Sequence, residues 1–377
     1  MDFNYSNEQM ALQETLQRFI ARDYGFEQRR ELARSTLGFS AGAWAQYASL
    51  GLLSLPFPEE YGGLGGNGVD IMLVMELAGR GLLLEPYLSS VVMGGGLIRA
   101  AAAEPLKRSM LPRIGAGELK LALACYEAGG RYDLSHVACT AVYRGGGWRL
   151  SGEKTVVLDA PSADYLLVSA RSSGEVGDSN GISLFLVARE APGVSLSAYP
   201  TQSGGRAADV GLEDVALDAN ALIGVVDGGL SPVEWAVDQG IAGLCAEAVG
   251  IIAALNEATL TYLKTRKQFG VPIGKFQALQ HRMADMLIAA EQARSMAVIA
   301  AVAADAEDAR ERRRAISGAK AYIGQAARLV GQQAVQLHGA MGVVDELIVS
   351  HYFKRLTMID LSLGNTDFHL ERFSNAP

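Results

Sequence analysis

A chain of 377 residues, 49% apolar and 20% charged with a net charge of −8, is long enough for two or three packed layers or domains. The acidic balance and the lack of any basic block argue against nucleic acid as the main partner. Cys125, Cys139 and Cys245 show no metal-ligand spacing, and their odd count suits reduced thiols, so no metal is expected. The opening MDFNYSNEQM lacks the basic and apolar regions of a leader. No apolar run reaches membrane-spanning length without a glycine or a charge. These properties predict a cytoplasmic, multi-domain protein with no membrane span.

Residues 1–119 read as helical. Ser6 with Gln9 forms a capping-box pair, and Leu12, Leu16, Phe19 and Ile20 then share one helical face. A second amphipathic stretch, AGAWAQYASLGLLSL, stops at Pro56 and Pro58, before the turn cluster PEEYGGLGG at 58–66. VDIMLVMELAGRGLLLEP predicts a helix up to Pro86. Further helices are expected over Gly94 to Ala103 and from Glu104-Pro105 onward.

Residues 120–229 change to short alternating runs: LALACYE, HVACTAVYRGGGWRLSG, YLLVSAR, ISLFLVA and DVGLEDVAL. Gly145 to Gly147 mark a hairpin turn. Without crossover helices the sheet should be mainly antiparallel, a small barrel or sandwich. Residues 230–377 return to helix, first from Pro232 to Arg266, roughly 50 Å at about 1.5 Å per residue. Stretches 276–305, 308–338 and 344–360 complete a four-helix bundle. The fold class is α+β and multi-domain: an all-α N-terminal domain, an antiparallel β middle domain and a C-terminal four-helix bundle.

The phrase RKQFGVPIGKFQALQHRMADM, 266–286, reads as a helix end, a Gly-Val-Pro turn and a new helix from about Phe276. The planar fork of Arg266 suits phosphate oxygens. A cation at a helix C-terminus explains it equally simply, and spacing alone favours that plainer role. His281 and His338 read as scaffold residues, because a histidine acts in chemistry only beside a placed substrate proton.

PEEYGGLGG, WRLSGEK, RKQFGVPIGKFQ and QLHGAMG occur in this order within the α–β–α layout. With them the whole chain resembles the acyl-CoA dehydrogenase family of flavoproteins. The resemblance implies FAD in an extended pose between the β domain and the bundle, at a subunit interface. It implies a glutamate that takes the α proton of an acyl-CoA thioester while the β hydrogen leaves as hydride to flavin N5. Electrons would then pass to an electron-transfer flavoprotein. Arg266 matches the arginine that reaches the FAD pyrophosphate across a dimer, and Phe269 and Gln277 match its neighbours. Gln336, Gly339 and Gly342 match the run that brings backbone to the ADP moiety, with Ala340 replacing a second glycine. Gly364 matches the tight turn that brings a loop to the flavin, where Asn365 and Thr366 could bond the cofactor.

The pattern departs from the family at the flavin ring. The family's Thr-Glu-x-x-x-Gly-Ser-Asp stretch corresponds to 126–133, keeping Glu127 and Asp133 but placing Tyr132 at the serine. The aromatic platform becomes Val156 and the hydroxyl position Leu158, a smaller contact and a lost hydrogen bond. In IDLSLGNTDFHLER, 359–372, the family's tyrosine position is Ser362 and its base position Leu363. The family's second base position falls at Gly240, with Ile241 where an arginine often sits. Glu247, two turns on from Gly240 and on nearly the same face, and Asp367, one turn past Leu363, are candidate substitutes, and Glu127 a weaker one.

Together the departures resemble one branch: small subunits of heteromeric acyl-CoA dehydrogenases, such as the pimeloyl-CoA dehydrogenase small subunit and subunits acting on steroid side chains. There a large homologous subunit supplies the glutamate, and FAD sits between unlike chains. The expected role is therefore a base-lacking subunit that contributes FAD-binding residues. Two alternatives stay open: a self-sufficient homodimer or tetramer with a relocated base, and a non-enzymatic acyl-CoA-binding or structural homologue. The acyl group, whether dicarboxylic, fatty or steroid, is not legible in a single sequence.

Overall fold

The structure, a computed structural model, describes residues 5–375. Residues 1–4, which open the stretch compared with a leader, and 376–377 lie outside it. Helices α1 (Asn7–Asp23), α2 (Phe26–Arg34), α3 (Ala41–Ser49) and α4 (Gly68–Gly81) come first. A buried π-helix (Tyr87–Gly95) runs into α5 (Gly96–Ala101), and α6 (Glu104–Gly115) precedes the strands. The strands are β1 (Leu121–Ala124), β2 (Thr140–Arg144), β3 (Gly147–Leu158), β4 (Tyr165–Arg171), β5 (Ile182–Ala188), β6 (Val194–Pro200), β7 (Arg206–Asp218) and β8 (Leu222–Ile223). Then come α7 (Leu230–Thr265), a small hairpin of β9 (Lys267–Gln268) and β10 (Val271–Pro272), α8 (Gln277–Ala304), α9 (Ala309–His338), α10 (Ile348–Leu361) and α11 (Thr366–Ser374).

The chain divides into two compact units. One gathers Met1–Glu31, Gly68–Leu83 and Ile241–Pro377, and the other Leu32–Asn67 and Leu84–Gly240. In the first unit, α1 starts at the expected capping box. Ser6 Oγ accepts from Gln9 N at 3.1 Å, and Gln9 Oε1 accepts from Ser6 N at 3.0 Å. Leu16 and Phe19 of its apolar face are buried. The helix expected to reach Pro86 stops at Gly81. Leu82 turns left-handed (φ 50°), its N–H donating to Gly79 O while Leu83 N–H donates to Ala78 O. That is a Schellman stop in which leucine occupies the usual glycine position. Two glycines let α4 and α7 touch backbone to backbone. A Cβ on Gly79 would lie 2.0 Å from Glu247 O, and one on Gly250 1.8 Å from Glu76 O.

The expected C-terminal helices fall at α7, α8, α9 and α10, the last beginning at Ile348, after a 3₁₀ segment over Gly339–Val343. A fifth helix, α11, was hidden in the loop because its nine residues are too few for a periodic signal. Asn365 opens it, its side chain accepting from Phe368 N at 3.0 Å. By length and composition α7 and α8 could both cross a membrane, although glycines or single charges interrupt them. The most apolar window of α7 is 83% buried within the protein, as expected of a core helix.

The second unit is built on an eight-stranded sheet of order β6-β7-β3-β2-β4-β5-β8, with β1 paired to β4. β2 and β3 form the expected hairpin. Arg144 pairs with Gly147, and Gly145 and Gly146 both take positive φ (62° and 82°), as a two-residue turn matched to strand twist requires. The sheet is mainly antiparallel, but β1 runs parallel to β4, and Thr140 of β2 makes one parallel bridge to Arg171. The sequence reading missed β6. VSLSAYP is a half-exposed edge strand ending in proline, with serine and alanine where strands usually carry branched or aromatic residues. Phe185, Leu166, Val168, Leu150 and Val215 are fully buried in the core of this unit.

Candidate functional site

The loop between α10 and α11 is held from below by α9. Lys320, buried on α9, donates from Nζ to Asp360 O at 3.0 Å and to Gly364 O at 2.8 Å. Burial pushes its ammonium down to about 8, against the partial support of Cys245 and Asp360. The Asp360 carboxylate accepts from Thr366 Oγ1 at 2.8 Å and from Arg328 Nη2 at 2.9 Å. His369, fully buried, bonds through Nε2 to Leu363 O at 3.1 Å. Burial, with Lys320 and Arg372 nearby, drives its imidazole down to about 3. The ring is therefore neutral, and Nε2–H is the donor to that carbonyl. Two small residues permit this packing. A Cβ on Gly324 would lie 2.4 Å from Asp360 Oδ1, and one on Gly364 (φ 111°) 2.5 Å from His369 Nε2.

Leu363 sits inside this clamp, 7% exposed and left-handed at φ 56°. A left-handed backbone costs a branched aliphatic residue roughly 1–2 kcal/mol, so the surrounding bonds must over-determine the turn. The turn therefore presents no titratable side chain at 363. Asn365 caps α11 through its Oδ1, and Thr366 Oγ1 donates to Asp360. Asp367 is exposed in the first turn of α11.

The expected ADP-binding residues gather at another part of the same unit. Arg266 follows the last turn of α7 and is exposed; its N–H donates to Tyr262 O at 2.9 Å and its carbonyl accepts from Ile273 N at 2.8 Å. The expected Gly-Val-Pro turn is in fact a two-residue hairpin. Phe269 and Gly270 both take positive φ (54° and 80°) between paired Gln268 and Val271. Phe269 is 91% exposed, edge-on to Phe276 at 6.0 Å. A bulky residue held left-handed and uncovered by its own chain is a contact waiting for something else. Gln277 is exposed in the first turn of α8.

Tyr262 of α7 stacks on His338 of α9 at 4.5 Å, which joins the Arg266 turn to the Gln336–Gly342 run. His338 gives one ring nitrogen to Ala334 O at 2.8 Å, is buried, and has its pKa lowered by that burial; it is scaffold. Gln336 is exposed. Gly339 adopts φ 60°, ψ −141°, a region open essentially to glycine alone, and a Cβ on Gly342 would meet Val335 O at 2.6 Å. A cleft of about 980 Å³ lies here, lined among others by Tyr262, Thr265, His338 and Met341. Arg266, Gln336, Gly339 and Gly342 are not among the residues that line this cleft; by residue type, an exposed guanidinium, an exposed amide and glycine-opened backbone suit a pyrophosphate and nucleoside. His281 is exposed on α8, away from any described partner.

In the second unit Glu127 is committed. It accepts from Ala138 N (2.7 Å), Cys139 N (3.1 Å) and the fully buried Lys154 Nζ (2.6 Å), and Lys154 also reaches Ser169 Oγ at 3.2 Å. Asp133 accepts from Ser135 N and Oγ, and so shapes its own turn. Val156 sits at a β-bulge with φ 53° and is 55% exposed, while its N–H donates to Asp209 Oδ1 at 2.9 Å. A β-branched residue in that conformation is an outlier of the kind that collects at functional sites. Leu158 ends β3. The cysteines are free and buried, and the described residues hold no group of three His, Cys, Asp or Glu able to bind a metal.

Glu247 lies seven residues beyond the buried Gly240 on α7. Its carboxylate is locked by Arg355, Nε to Oε1 at 2.5 Å and Nη2 to Oε2 at 2.7 Å. The sequence reading missed Asp238 and Gln239, both buried directly before Gly240. The available signal was a polar pair in the otherwise apolar run WAVDQGIAGL. Two residues along a helix is about 200°, so Asp238 faces nearly opposite to Gly240.

Family models match nearly the whole chain: "Acyl-CoA dehydrogenase, N-terminal domain" at residues 6–118, "middle domain" at 122–218 and "C-terminal domain" at 227–376. The acyl-CoA dehydrogenase FadE12 of Mycobacterium tuberculosis is 31% identical over 91% of this chain and 89% of its own length. Among solved structures, a Tcur3481-Tcur3483 steroid ACAD variant is 30% identical with a TM-score of 0.88, covering 98% of this chain and 97% of its own. The ChsE4-ChsE5 complex from Mycobacterium tuberculosis is 28% identical with a TM-score of 0.88, covering 99% of this chain and 98% of its own.

Proposed function

Since the chain belongs to the acyl-CoA dehydrogenase family, whose members are FAD-dependent oxidoreductases acting on acyl-CoA, we propose that it is the base-lacking small subunit of a heteromeric acyl-CoA dehydrogenase. The observation that carries this reading is Leu363: buried, left-handed and clamped by Lys320 and His369 where a proton acceptor would stand. Lys320, His369, Asp360 and the Asn365 cap hold the loop's shape. Gly240 leaves the second base position empty as well. A homologous large subunit supplies the glutamate, and likeness to a named two-component complex supports such an arrangement.

FAD, when bound, supplies the hydride acceptor for α,β-dehydrogenation of an acyl-CoA thioester. On this chain Arg266 would pair with its phosphates, and Gln336 with Gly339 and Gly342 would meet the ADP end. Phe269 and Gln277 would cover that end, and Val156 would offer an apolar contact to the ring. The Gly364 turn sets the loop's position. Electrons leave to an electron-transfer flavoprotein, and the work takes place in the cytoplasm. We assign the three parts of this role to segments 1–119, 120–229 and 230–377.

A self-sufficient chain would need Glu247 or Asp367 as base. Both oxygens of Glu247 are engaged by one guanidinium, and Asp367 faces solvent, so neither is favoured. The test is to purify the chain alone and co-expressed with a homologous chain that carries the glutamate. Visible flavin absorbance and acyl-CoA-dependent dye reduction should appear only in the pair, and turnover should vanish when the partner's glutamate becomes glutamine. Tight flavin and turnover by the chain alone would overturn the proposal. A pair that never binds flavin would point instead to a non-enzymatic homologue.

A further inference from the structure

β1 ends at Ala124 and β2 begins at Thr140. A connection of about 15 residues without helix or strand is long for a compact domain and usually carries function. This one is anchored by two buried cations. Near its start Glu127 accepts from Lys154 Nζ, and Tyr126 O accepts from Thr155 N at 2.9 Å, so the loop is fastened to β3 beside the left-handed Val156. Near its end the anchor is Arg171, the last residue of β4, only 7% exposed. Its Nε donates to Val137 O at 2.9 Å and its Nη2 to Ser135 O at 2.9 Å. The remaining donors go to a second loop. Nη2 also reaches Asp178 O at 3.0 Å, and Nη1 reaches Asn180 O at 2.9 Å and Ser173 O at 3.3 Å.

A guanidinium has five N–H donors, and here all five are directed at backbone carbonyls, two on the β1–β2 loop and three on the β4–β5 loop. An ammonium offers three donors from one point, so lysine cannot span both loops as the planar fork does. The β4–β5 loop is exposed from Ser173 to Asn180. If it shifts, three acceptors leave a buried charge, and the cation must follow them or remain under-bonded. Either way Ser135 and Val137 feel the change. We propose that Arg171 is a positioning residue through which the exposed β4–β5 loop sets the shape of the β1–β2 loop. Through Tyr126 and Glu127 that shape reaches the Val156 bulge, where the flavin ring is received. This role rests on the reading of Val156 as an apolar contact to the ring. Arg171 itself touches no reacting atom; it acts on backbone.

Two variants cut the link from opposite sides. Arg171→Lys keeps the charge and reduces five donors to three. Gly181→Ala leaves Arg171 in place but puts a Cβ 2.0 Å from Ser173 O at φ 86°, which displaces the β4–β5 loop. Hydrogen exchange on the purified chain reads the coupling. Amides of residues 128–138 should exchange about tenfold or more faster in both variants, while those of β7 hold their wild-type rates. In the heteromer, the visible flavin spectrum should shift and flavin should dissociate about tenfold faster in both variants. The double variant should be no worse than the worse single, because both break one connection. If Arg171→Lys does not fold, Gly181→Ala carries both readouts. Wild-type exchange at 128–138 in a folded variant would overturn the proposal. So would a folded heteromer whose exchange rises while its flavin spectrum and dissociation stay those of wild type, the signature of a merely structural arginine. A wild-type heteromer without flavin would instead fail the dehydrogenase reading, and exchange on the chain alone would still decide whether the two loops are coupled.

Discussion

Replacing Glu247 by glutamine separates the two roles a carboxylate can play on α7. Its side chain is 6% exposed and that of Arg355 26%, with bonds of 2.5 and 2.7 Å between them. Breaking a buried ion pair from one side costs about 3–5 kcal/mol, because the remaining charge is left uncompensated. Arg355 is a quarter exposed and can still donate to the new amide oxygen, so the loss should be about 2–3 kcal/mol after allowing for solvent. At about 2.1 cal/mol/K per residue, 377 residues unfold with an entropy of about 0.8 kcal/mol/K, so the melting temperature should fall by about 3 °C if the chain melts as one. Scanning calorimetry of Glu247→Gln, Arg355→Met and the double variant reads the loss and its coupling, and the double variant should cost less than the two singles summed. In the reconstituted heteromer, turnover per flavin should stay within about twofold of wild type, because a structural pair touches no reacting atom. A Glu247→Gln chain that melts like wild type, retains flavin and loses turnover would identify Glu247 as the base and refute this reasoning.

Two further outcomes follow from strained or buried groups. Val156→Gly relieves a left-handed β-branched residue whose side chain is 55% exposed. Melting temperature should hold or rise, by up to about 1 kcal/mol equivalent, while flavin retention in the heteromer drops; a loss above that size would show that Val156 packs structurally. Lys320 carries a pKa lowered by burial from 10.5 to about 8. Between those values the unfolded chain holds a proton that the folded chain has released, so this group adds stability as pH rises through the window. Relative to Lys320→Met, wild type should gain up to about 3 kcal/mol from below pH 8 to above 10.5. Comparing with the variant cancels the buried thiols of Cys125 and Cys139, pushed up to about 12 and 11, which act in the opposite direction; Cys245, coupled to Lys320, does not cancel, so the comparison is made in a Cys245→Ser background. Parallel stability curves for the two proteins would remove Lys320 as the titrating group.

What the amino-acid order determined by itself is what short range controls. The Ser6–Gln9 capping box, the Gly145-Gly146 hairpin and the long helices α7 to α9 each depend on groups within a few residues or on a period of 3.6 or 2. All of them are therefore visible in one dimension. The absence of a carboxylate at 363 and 240 is likewise a property of the chain as written.

The tertiary structure decided everything that joins distant residues. Glu247 has the spacing of a substitute base, but Arg355, 108 positions away, engages both its oxygens. Asn365 and Thr366, where a cofactor contact is expected, also cap α11 and donate to the Asp360 carboxylate, respectively, the second of these a bond that only the fold sets up. Lys320 and His369 carry no motif at all, and only packing brings them onto the carbonyls of 360, 363 and 364. The parallel pairing of β1 with β4 and the edge strand β6 escaped notice for the same reason. A sheet neighbour is chosen by contacts far along the chain, and propensity at an exposed edge is too weak to announce it. Local free energies write the elements, but the partner of each polar group is chosen by the fold, and for Glu247 that partner, Arg355, makes a structural ion pair of a residue whose spacing alone suited a base.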